Sequence, residues 1–273
     1  MTVVRISETS MKENVPMTGR PTLIELKGVT KKFGSFEALR PIDLQIKEGE
    51  FVSVVGPSGC GKSTLLKLVA GLAPISDGEL LLAGKKISGP QTDVGIVFQS
   101  AVLLAWRTII DNILLQAEMR NMNKVEARKR AEALITMAGL QGFEKKYPWQ
   151  LSGGMQQRAS ICRALLHDPQ VLLMDEPFGA LDAMTREKMN VELQRIWLES
   201  RKTVLLITHS IPEAVFLSDR VVVMSERPGS IAAIYDIDLP RPRDLSVMAS
   251  PKFAEYTKTI RQHFFAQGSL DDH

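Results

Sequence analysis

The sequence predicts an α/β fold in which a mostly parallel sheet carries a glycine-rich, anion-binding loop. Phe51–Val55 is a short apolar run that leads directly into the glycine-rich segment G-P-S-G-C-G-K-S, residues 56–63, and then into a helical pattern. From Val171 onward, apolar runs alternate with helical segments, which is typical of a parallel sheet with crossover helices. Ahead of Phe51, two runs of alternating apolar and polar residues predict a small antiparallel sheet.

The composition suits one large or two small globular domains and excludes several classes of protein. The chain has 273 residues, 44% of them hydrophobic, and a net charge of +3, too small to indicate a nucleic-acid partner. No apolar run approaches the roughly 18 residues of a membrane span. Residues 1–20 lack the apolar core of a secretory signal and are predicted to be a disordered tail. Cys60 and Cys162 provide no disulfide framework, which favours a reducing compartment.

The predicted elements follow in chain order. Residues 24–30 and 42–46 alternate as half-buried antiparallel strands do, whereas Phe51–Val55 is continuously apolar, as in a strand buried on both faces. After the glycine-rich segment a helix is predicted, and Gly71 and Pro74 mark its end. The side chains at helical spacing in this segment are Leu65, Leu68, Val69 and Leu72.

Residues 100–166 are predicted to form an inserted helical subdomain, in which Ala127, Ala131, Leu134 and Ala138 share one helix face. Strands are predicted at residues 171–174, 204–208 and 221–224, with a helix at 186–199. Together, residues 23–254 are predicted to form the main domain. Residues 255–273 are predicted to be a C-terminal helix and tail.

Residues 56–63 provide a site for the phosphates of a nucleoside triphosphate. Gly56, Gly59 and Gly61 allow backbone N–H groups to converge on a phosphate, and the following helix adds its positive end. Lys62 is placed to contact the β- and γ-phosphates, and Ser63 to ligate Mg²⁺. The other residues of the predicted nucleotide site here are Pro57, Ser58, Cys60 and Thr64. The Cys60 thiol is either a group of lowered pKa beside the helix end or an uninvolved side chain.

Two predicted strands end in further polar groups. Asp175 ends the run V-L-L-M, where a carboxylate can hold Mg²⁺ through water, and Glu176 is the natural general base for the attacking water. His209 follows V-L-L-I-T directly. Because ligands of α/β sheets bind at the carboxyl ends of strands, we expect His209 to face the γ-phosphate.

A second glycine-rich segment, L-S-G-G-M-Q-Q-R, occupies residues 151–158 and brings no second lysine. Ser152 is suited to cap a helix while the N–H groups of Gly153 and Gly154 stay free for an anion. One domain cannot wrap two such sites around one nucleotide if they lie on opposite faces. The pattern therefore predicts a dimer that closes around ATP.

In this order, the three segments resemble those of the nucleotide-binding subunit of ATP-binding cassette (ABC) transporters. The resemblance covers residues 23–241 and implies a RecA-like P-loop ATPase core with a small antiparallel β subdomain and an inserted helical subdomain. It implies ATP and Mg²⁺ as cofactors. It also implies a homodimer, in which Ser152, Gly153, Gly154, Gln157 and Asp182 of one copy face the nucleotide of the other.

The resemblance assigns further roles by position. His209 would be a switch histidine that links the γ-phosphate to Glu176, and Gln99 a hinge residue that touches Mg²⁺. Phe33 would stack on adenine, although a core aromatic of the small sheet is the alternative. Leu103, Leu104 and Trp106 would form a loop that docks on the membrane subunit, with Ala105 where relatives usually carry proline.

Stretches such as L-L-A-W-R-T-I-I-D-N and D-E-P-F-G-A-L-D-A-M-T-R resemble bacterial importers of nitrate, sulfonate, taurine and bicarbonate. The resemblance implies an ATPase at the cytoplasmic face of the inner membrane, bound to integral-membrane permease subunits and indirectly to a periplasmic solute-binding protein. No nucleic-acid partner is expected. The alternatives are an importer of vitamin precursors, an exporter cassette, and a non-transport ATPase acting on DNA or ribosomes. The last is disfavoured because the chain has neither sustained heptads nor a second cassette.

Overall fold

The computed structural model describes residues 19–179 and 181–266, which form ten strands and seven α-helices. Residues 1–18 of the predicted tail and 267–273 of the predicted C-terminal segment lie outside the described residues. The strands are β1 Thr22–Phe33, β2 Phe36–Lys47, β3 Phe51–Val55, β4 Asp77–Leu82, β5 Lys85–Lys86, β6 Val94–Val97, β7 Val171–Asp175, β8 Thr203–Ile207, β9 Arg220–Met224 and β10 Ile231–Asp236. The α-helices are α1 Lys62–Val69, α2 Ile109–Met119, α3 Lys124–Met137, α4 Gly153–Leu165, α5 Ala183–Ser200, α6 Ile211–Leu217 and α7 Pro251–Ala266.

The larger sheet has the strand order β10-β9-β3-β8-β7-β6. All neighbours from β9 to β6 are parallel, and β10 is antiparallel to β9. Every residue of β3 and β8 is buried, as the continuous apolar runs predict. The register aligns Val54 with Ile207, and Ile207 with Asp175. The loops that follow β3, β7 and β8 therefore leave the same edge of the sheet side by side.

The smaller sheet is antiparallel, with the order β2-β1-β4-β5, and its predicted strands are present but longer. Its buried residues, including Ile24 and Ile46, form one hydrophobic core with α1 and one face of the larger sheet. Helix α1 ends at Val69, and Leu72 lies beyond it with half of its surface exposed. The expectation that Leu72 continues the buried helix face is therefore wrong.

Helices α2, α3 and α4, which lie between β6 and β7 in the chain, pack on one another. The face predicted for α3 is buried, including Ala127, Ala131 and Leu134. After β10 the chain forms a 3-10 helix, Leu245–Ala249, and then α7, which packs on α6. Among the described residues, no helix has the length and apolar character needed to span a membrane.

Candidate functional site

The glycine-rich loop between β3 and α1 is built by close backbone packing. Gly61 has φ +106°, and a Cβ there would lie 2.5 Å from Leu39 Cδ2, so both conformation and space require glycine. Gly61 is also the N-cap of α1 and provides no side-chain cap for the first turn. The N–H groups of this turn therefore point toward the loop as anion donors.

Lys62 closes this loop from inside. Its buried Nζ donates to the carbonyl oxygens of Gly56 and Pro57, each at 2.8 Å. A third, longer contact joins Nζ to Cys60 Sγ at 4.0 Å, so Lys62 ties residues 56, 57 and 60 of the loop together. Ser58 and Gly59 are exposed and Thr64 is half-buried, whereas the Gly56 backbone is buried.

Ser63 and Asp175 meet across the gap between α1 and β7. Ser63 Oγ donates to Asp175 Oδ1 at 3.1 Å. Burial raises the pKa of the Asp175 carboxyl and the neighbouring Glu176 charge adds to this, while the bond from Ser63 acts in the opposite direction. A hydroxyl and a carboxylate are hard oxygen ligands, so these two residues fit a magnesium ion held together with phosphate and water.

Glu176 and His209 lie together at the same sheet edge. His209 Nδ1 is 3.3 Å from Glu176 Oε2. Glu176 has φ +47°, a left-handed conformation uncommon for a residue with a side chain, and its N–H donates to Ile207 O at 2.8 Å. Gln99 reaches the same place, because a Cβ added to Gly179 would lie 3.1 Å from Gln99 Nε2 and 3.6 Å from Glu176 Oε2. The structure thus brings together the polar groups that three separate strand ends predict.

The second glycine-rich segment begins α4. Ser152 Oγ accepts from Met155 N at 3.3 Å, and Ser152 and Gly153 are exposed, while Gly154 packs against α5. Gln157, also predicted for this site, is buried on the inward face of α4, and its Nε2 donates to Phe98 O at 2.9 Å.

The other predicted nucleotide-site residues are Asp182, Phe33 and Cys60, and they differ in exposure. Asp182 is exposed and caps α5, accepting from Thr185 N at 3.0 Å. Phe33 is 53% exposed at the end of β1, with Lys31 Nζ 4.8 Å from its ring centre, which excludes the core-aromatic alternative. Cys60 is buried and burial raises the pKa of its thiol, so the alternative of a lowered pKa is wrong.

In the loop before α2, Trp106 is 74% exposed and Leu104 is half-buried, but Leu103 packs against the core. The buried Asn112 holds this loop, accepting from Leu104 N at 2.7 Å and donating to Leu104 O and Arg107 O. Leu103 is therefore corrected to a core-packing residue, and the exposed docking candidates are Trp106 and part of Leu104.

The sequence reasoning missed the turn between β9 and β10, which braces the glycine-rich loop. Arg227 Nε donates to Gly59 O at 3.1 Å, and a Cβ on Gly229 would lie 1.9 Å from Cys60 O. Since β9 pairs directly with β3, the turn after β9 must lie beside the loop after β3. The strand order is the signal that could have found it, because the local sequence R-P-G indicates only a turn.

The segment that carries most of these groups is shared with a known family. A protein-family model described as ABC transporter matches residues 39–179, from β2 to just beyond Glu176. The chain belongs to the ABC transporter family. An uncharacterised ABC transporter ATP-binding protein of Methanocaldococcus jannaschii is 49% identical over 241 residues, covering 87% of this chain and 89% of that protein. The taurine import ATP-binding protein TauB of Escherichia coli K12 is 40% identical over 250 residues, covering 90% and 98%.

Solved structures of this ABC family share the fold. The dimeric structure of a bacterial ABC transporter cassette has a TM-score of 0.68 at 36% identity, covering 80% of this chain and 100% of that one. A post-hydrolysis state of the same cassette with ADP and Pi gives the same values. These likenesses confirm the predicted RecA-like P-loop core with its small antiparallel β subdomain and inserted helices. The protein is an ATP-binding, ATP-hydrolysing subunit of an ABC transporter.

Proposed function

We propose that this subunit drives a bacterial importer for a small organic or inorganic anion such as taurine, another sulfonate or nitrate. The observation that carries the proposal is the 40% identity to a taurine import ATP-binding protein over 98% of that protein's length. The coverage extends beyond the ATP-binding segments and includes most of this chain, which favours a shared kind of transporter over a shared ATPase core alone.

In the proposed mechanism two copies enclose each ATP between residues 56–63 of one copy and the start of α4 in the other. Lys62 and the N–H groups of α1 hold the phosphates, and Phe33 offers an exposed ring to the base. Mg²⁺, when bound through Ser63, Gln99 and Asp175 (the last through water), would neutralise phosphate charge. Glu176 accepts a proton from the attacking water, and His209 orients that carboxylate through the 3.3 Å contact. All elements are present in one chain, which favours a homodimer.

The proposed partners are integral-membrane permease subunits, on which this subunit docks at the cytoplasmic face of the inner membrane. The permease receives solute from a periplasmic binding protein. The exposed Trp106 ring supports docking through the loop before α2. Trp106→Asp should reduce co-purification with the permease at least tenfold and spare the ATPase rate of the isolated subunit. Ile234→Asp, at an exposed apolar side chain of β10, is the matched control. Equal loss in both variants would contradict the assignment.

The solute class is tested by reconstituting the subunit with its permease and binding protein in liposomes. Taurine, nitrate and a pyrimidine vitamin precursor are compared as stimulants of ATP hydrolysis and as transported solutes. Stimulation by taurine or nitrate, and not by the pyrimidine, is the expected result. Stimulation by the pyrimidine alone would favour the vitamin-precursor importer, and outward movement of solute would favour an exporter.

A further inference from the structure

Glu213 is a buried carboxylic acid that the proposed hydrolysis mechanism does not use. It lies in the first turn of α6, the helix that begins directly after the His209 loop, and only 4% of its surface is exposed. Its Oε2 accepts from Thr208 Oγ1 at 2.9 Å. Its Oε1 is buried and has no hydrogen-bond partner among the described residues. A buried acid with one oxygen unpaired is uncommon enough to need an explanation.

Glu213 forms hydrogen bonds to the residues immediately before and after His209 in the chain. Thr208 Oγ1, which donates to Glu213, accepts from Ser210 N at 3.0 Å. Ser210 Oγ in turn accepts from Glu213 N at 3.3 Å. Thr208 N donates to Val54 O at 3.2 Å, which ties the network to the strand that precedes the glycine-rich loop. The Glu213 carboxyl thus holds Thr208, and the Glu213 backbone N–H holds Ser210, on either side of His209 in the chain. The His209 side chain itself is exposed and lies 3.3 Å from Glu176.

Two further unpaired polar atoms lie on α5, the helix that packs against α6. Arg186 Nε and Asn190 Oδ1 are buried without a hydrogen-bond partner in the described chain. Arg186 Nη2 donates to Leu181 O at 2.9 Å, next to Asp182. The charge of Arg186 lowers the pKa of Glu213 and that of Glu176 raises it, so both face the acid. Burial is the largest effect and brings the pKa of Glu213 to about 7.

We propose that Glu213 is a positioning residue for His209, holding the backbone of residues 208–210 so that the imidazole stays within reach of Glu176. This rests on the roles proposed above for Glu176 and His209. The protonated acid suits the task, because it adds no further negative charge beside Asp175 and Glu176. Ionisation of Glu213 above neutral pH places that charge there and leaves a buried carboxylate with a single hydrogen bond.

The test compares Glu213→Gln, Glu213→Ala and Thr208→Val in the full chain with Mg-ATP, with Glu255→Gln, at an exposed residue of α7, as the control. Glu213→Ala and Thr208→Val should lower kcat about tenfold with KM for ATP unchanged, whereas Glu213→Gln should restore most of the rate. The native pH profile of kcat should contain a decrease near pH 7 that is missing in Glu213→Gln. A role in packing alone would not remove this titration.

A double variant separates this proposal from the role of His209. If Glu213 acts through the histidine, Glu213→Ala should add no further loss of kcat to His209→Ala. Native kcat and native pH dependence in both Glu213 variants would overturn the proposal, as would additive losses in the double variant. Native kcat in His209→Ala is a different result, because it would overturn the proposed hydrolysis mechanism first. Glu213→Gln keeps the test decisive if Glu213→Ala fails to fold.

Discussion

The starts of α1 and α4 are the two proposed phosphate sites, each at a helix N-terminus, and the chain builds them differently. At α1, Gly61 leaves the first turn uncapped, and the buried Lys62 supplies a cation at the loop. At α4, Ser152 caps the first turn, and the basic residue of the segment, Arg158, donates to Ala138 O at 2.7 Å. The first start thus has its cation within the loop itself. At the second, the cations Arg158 and Lys188 line a cleft beside the exposed Ser152.

The largest expected effect is on ATP hydrolysis, in a variant that leaves both proposed phosphate sites unchanged. Glu176→Gln removes the proposed base and leaves Lys62 and Ser63 in place, so kcat should fall by about 10²–10⁴-fold while ATP binding is retained. The variant should accumulate as an ATP-bound dimer on size exclusion. Near-native ATPase activity would contradict the assignment of Glu176 as the general base.

Two variants test separately the proposed phosphate sites at the starts of α1 and α4. Lys62→Ala removes a buried charged donor and should weaken nucleotide binding by the isolated monomer about tenfold or more. Ser152→Arg places bulk and charge at an exposed position, so monomer affinity should stay native while ATP-driven dimer formation and ATPase activity are lost. Nucleotide titration at low protein concentration and size exclusion measure the two effects. If Ser152→Arg weakens binding by the monomer, the helix start at α4 belongs to the nucleotide of its own chain.

The difference between the two regions also shows what the sequence could predict. The meeting of Asp175, Glu176 and His209 follows from parallel strands whose carboxyl ends share one edge, so strand patterns were sufficient. Gln157 shows the opposite case. Motif membership placed it at the phosphate site, whereas its position one turn before the buried Ile161 puts it on the inward face of α4.

Contacts that depend on strand order were out of reach of local patterns. Gly229 and Arg227 brace the glycine-rich loop because β9 pairs with β3, and the sequence gives no pairing order. Glu213 was missed for a related reason. A glutamate in the first turn of a helix is usually a solvated residue favoured by the helix dipole. Glu213 is buried because α6 packs on β3, β9, α5 and α7.

A smaller effect concerns stability as a function of pH. The pKa of Glu213 is about 7 in the folded chain, against 4.5 for an exposed carboxyl. The folded state therefore binds more protons than the unfolded state between these values, and the free energy of unfolding falls as pH rises through this window. Glu213→Gln cannot ionise, so it should match the native protein near pH 4.5 and exceed it above pH 7 by about 3 kcal/mol at most. Urea unfolding at pH 5 and pH 8 measures the difference, and a difference that does not change with pH would contradict the burial argument.

The smallest expected effect concerns Cys60, which lies within the glycine-rich loop with its Sγ 4.0 Å from Lys62 Nζ. Its thiol is buried, and a Cβ added to Gly56 would lie 2.9 Å from its Sγ, so the side chain packs beneath the loop. Burial raises its pKa, and Lys62 offsets this only in part. Alkylation of the folded protein should therefore be slow, and Mg-ATP should change the rate little, because the thiol is already buried without nucleotide. Cys162 should be labelled equally slowly and serves as the internal reference, because burial raises the pKa of its thiol to about 12 and the thiol donates to Leu134 O.

The measurement is the labelling rate of each cysteine by mass spectrometry, with and without nucleotide. Fast labelling of Cys60 that Mg-ATP suppresses would mean that the loop opens in solution and turns this thiol toward the phosphates.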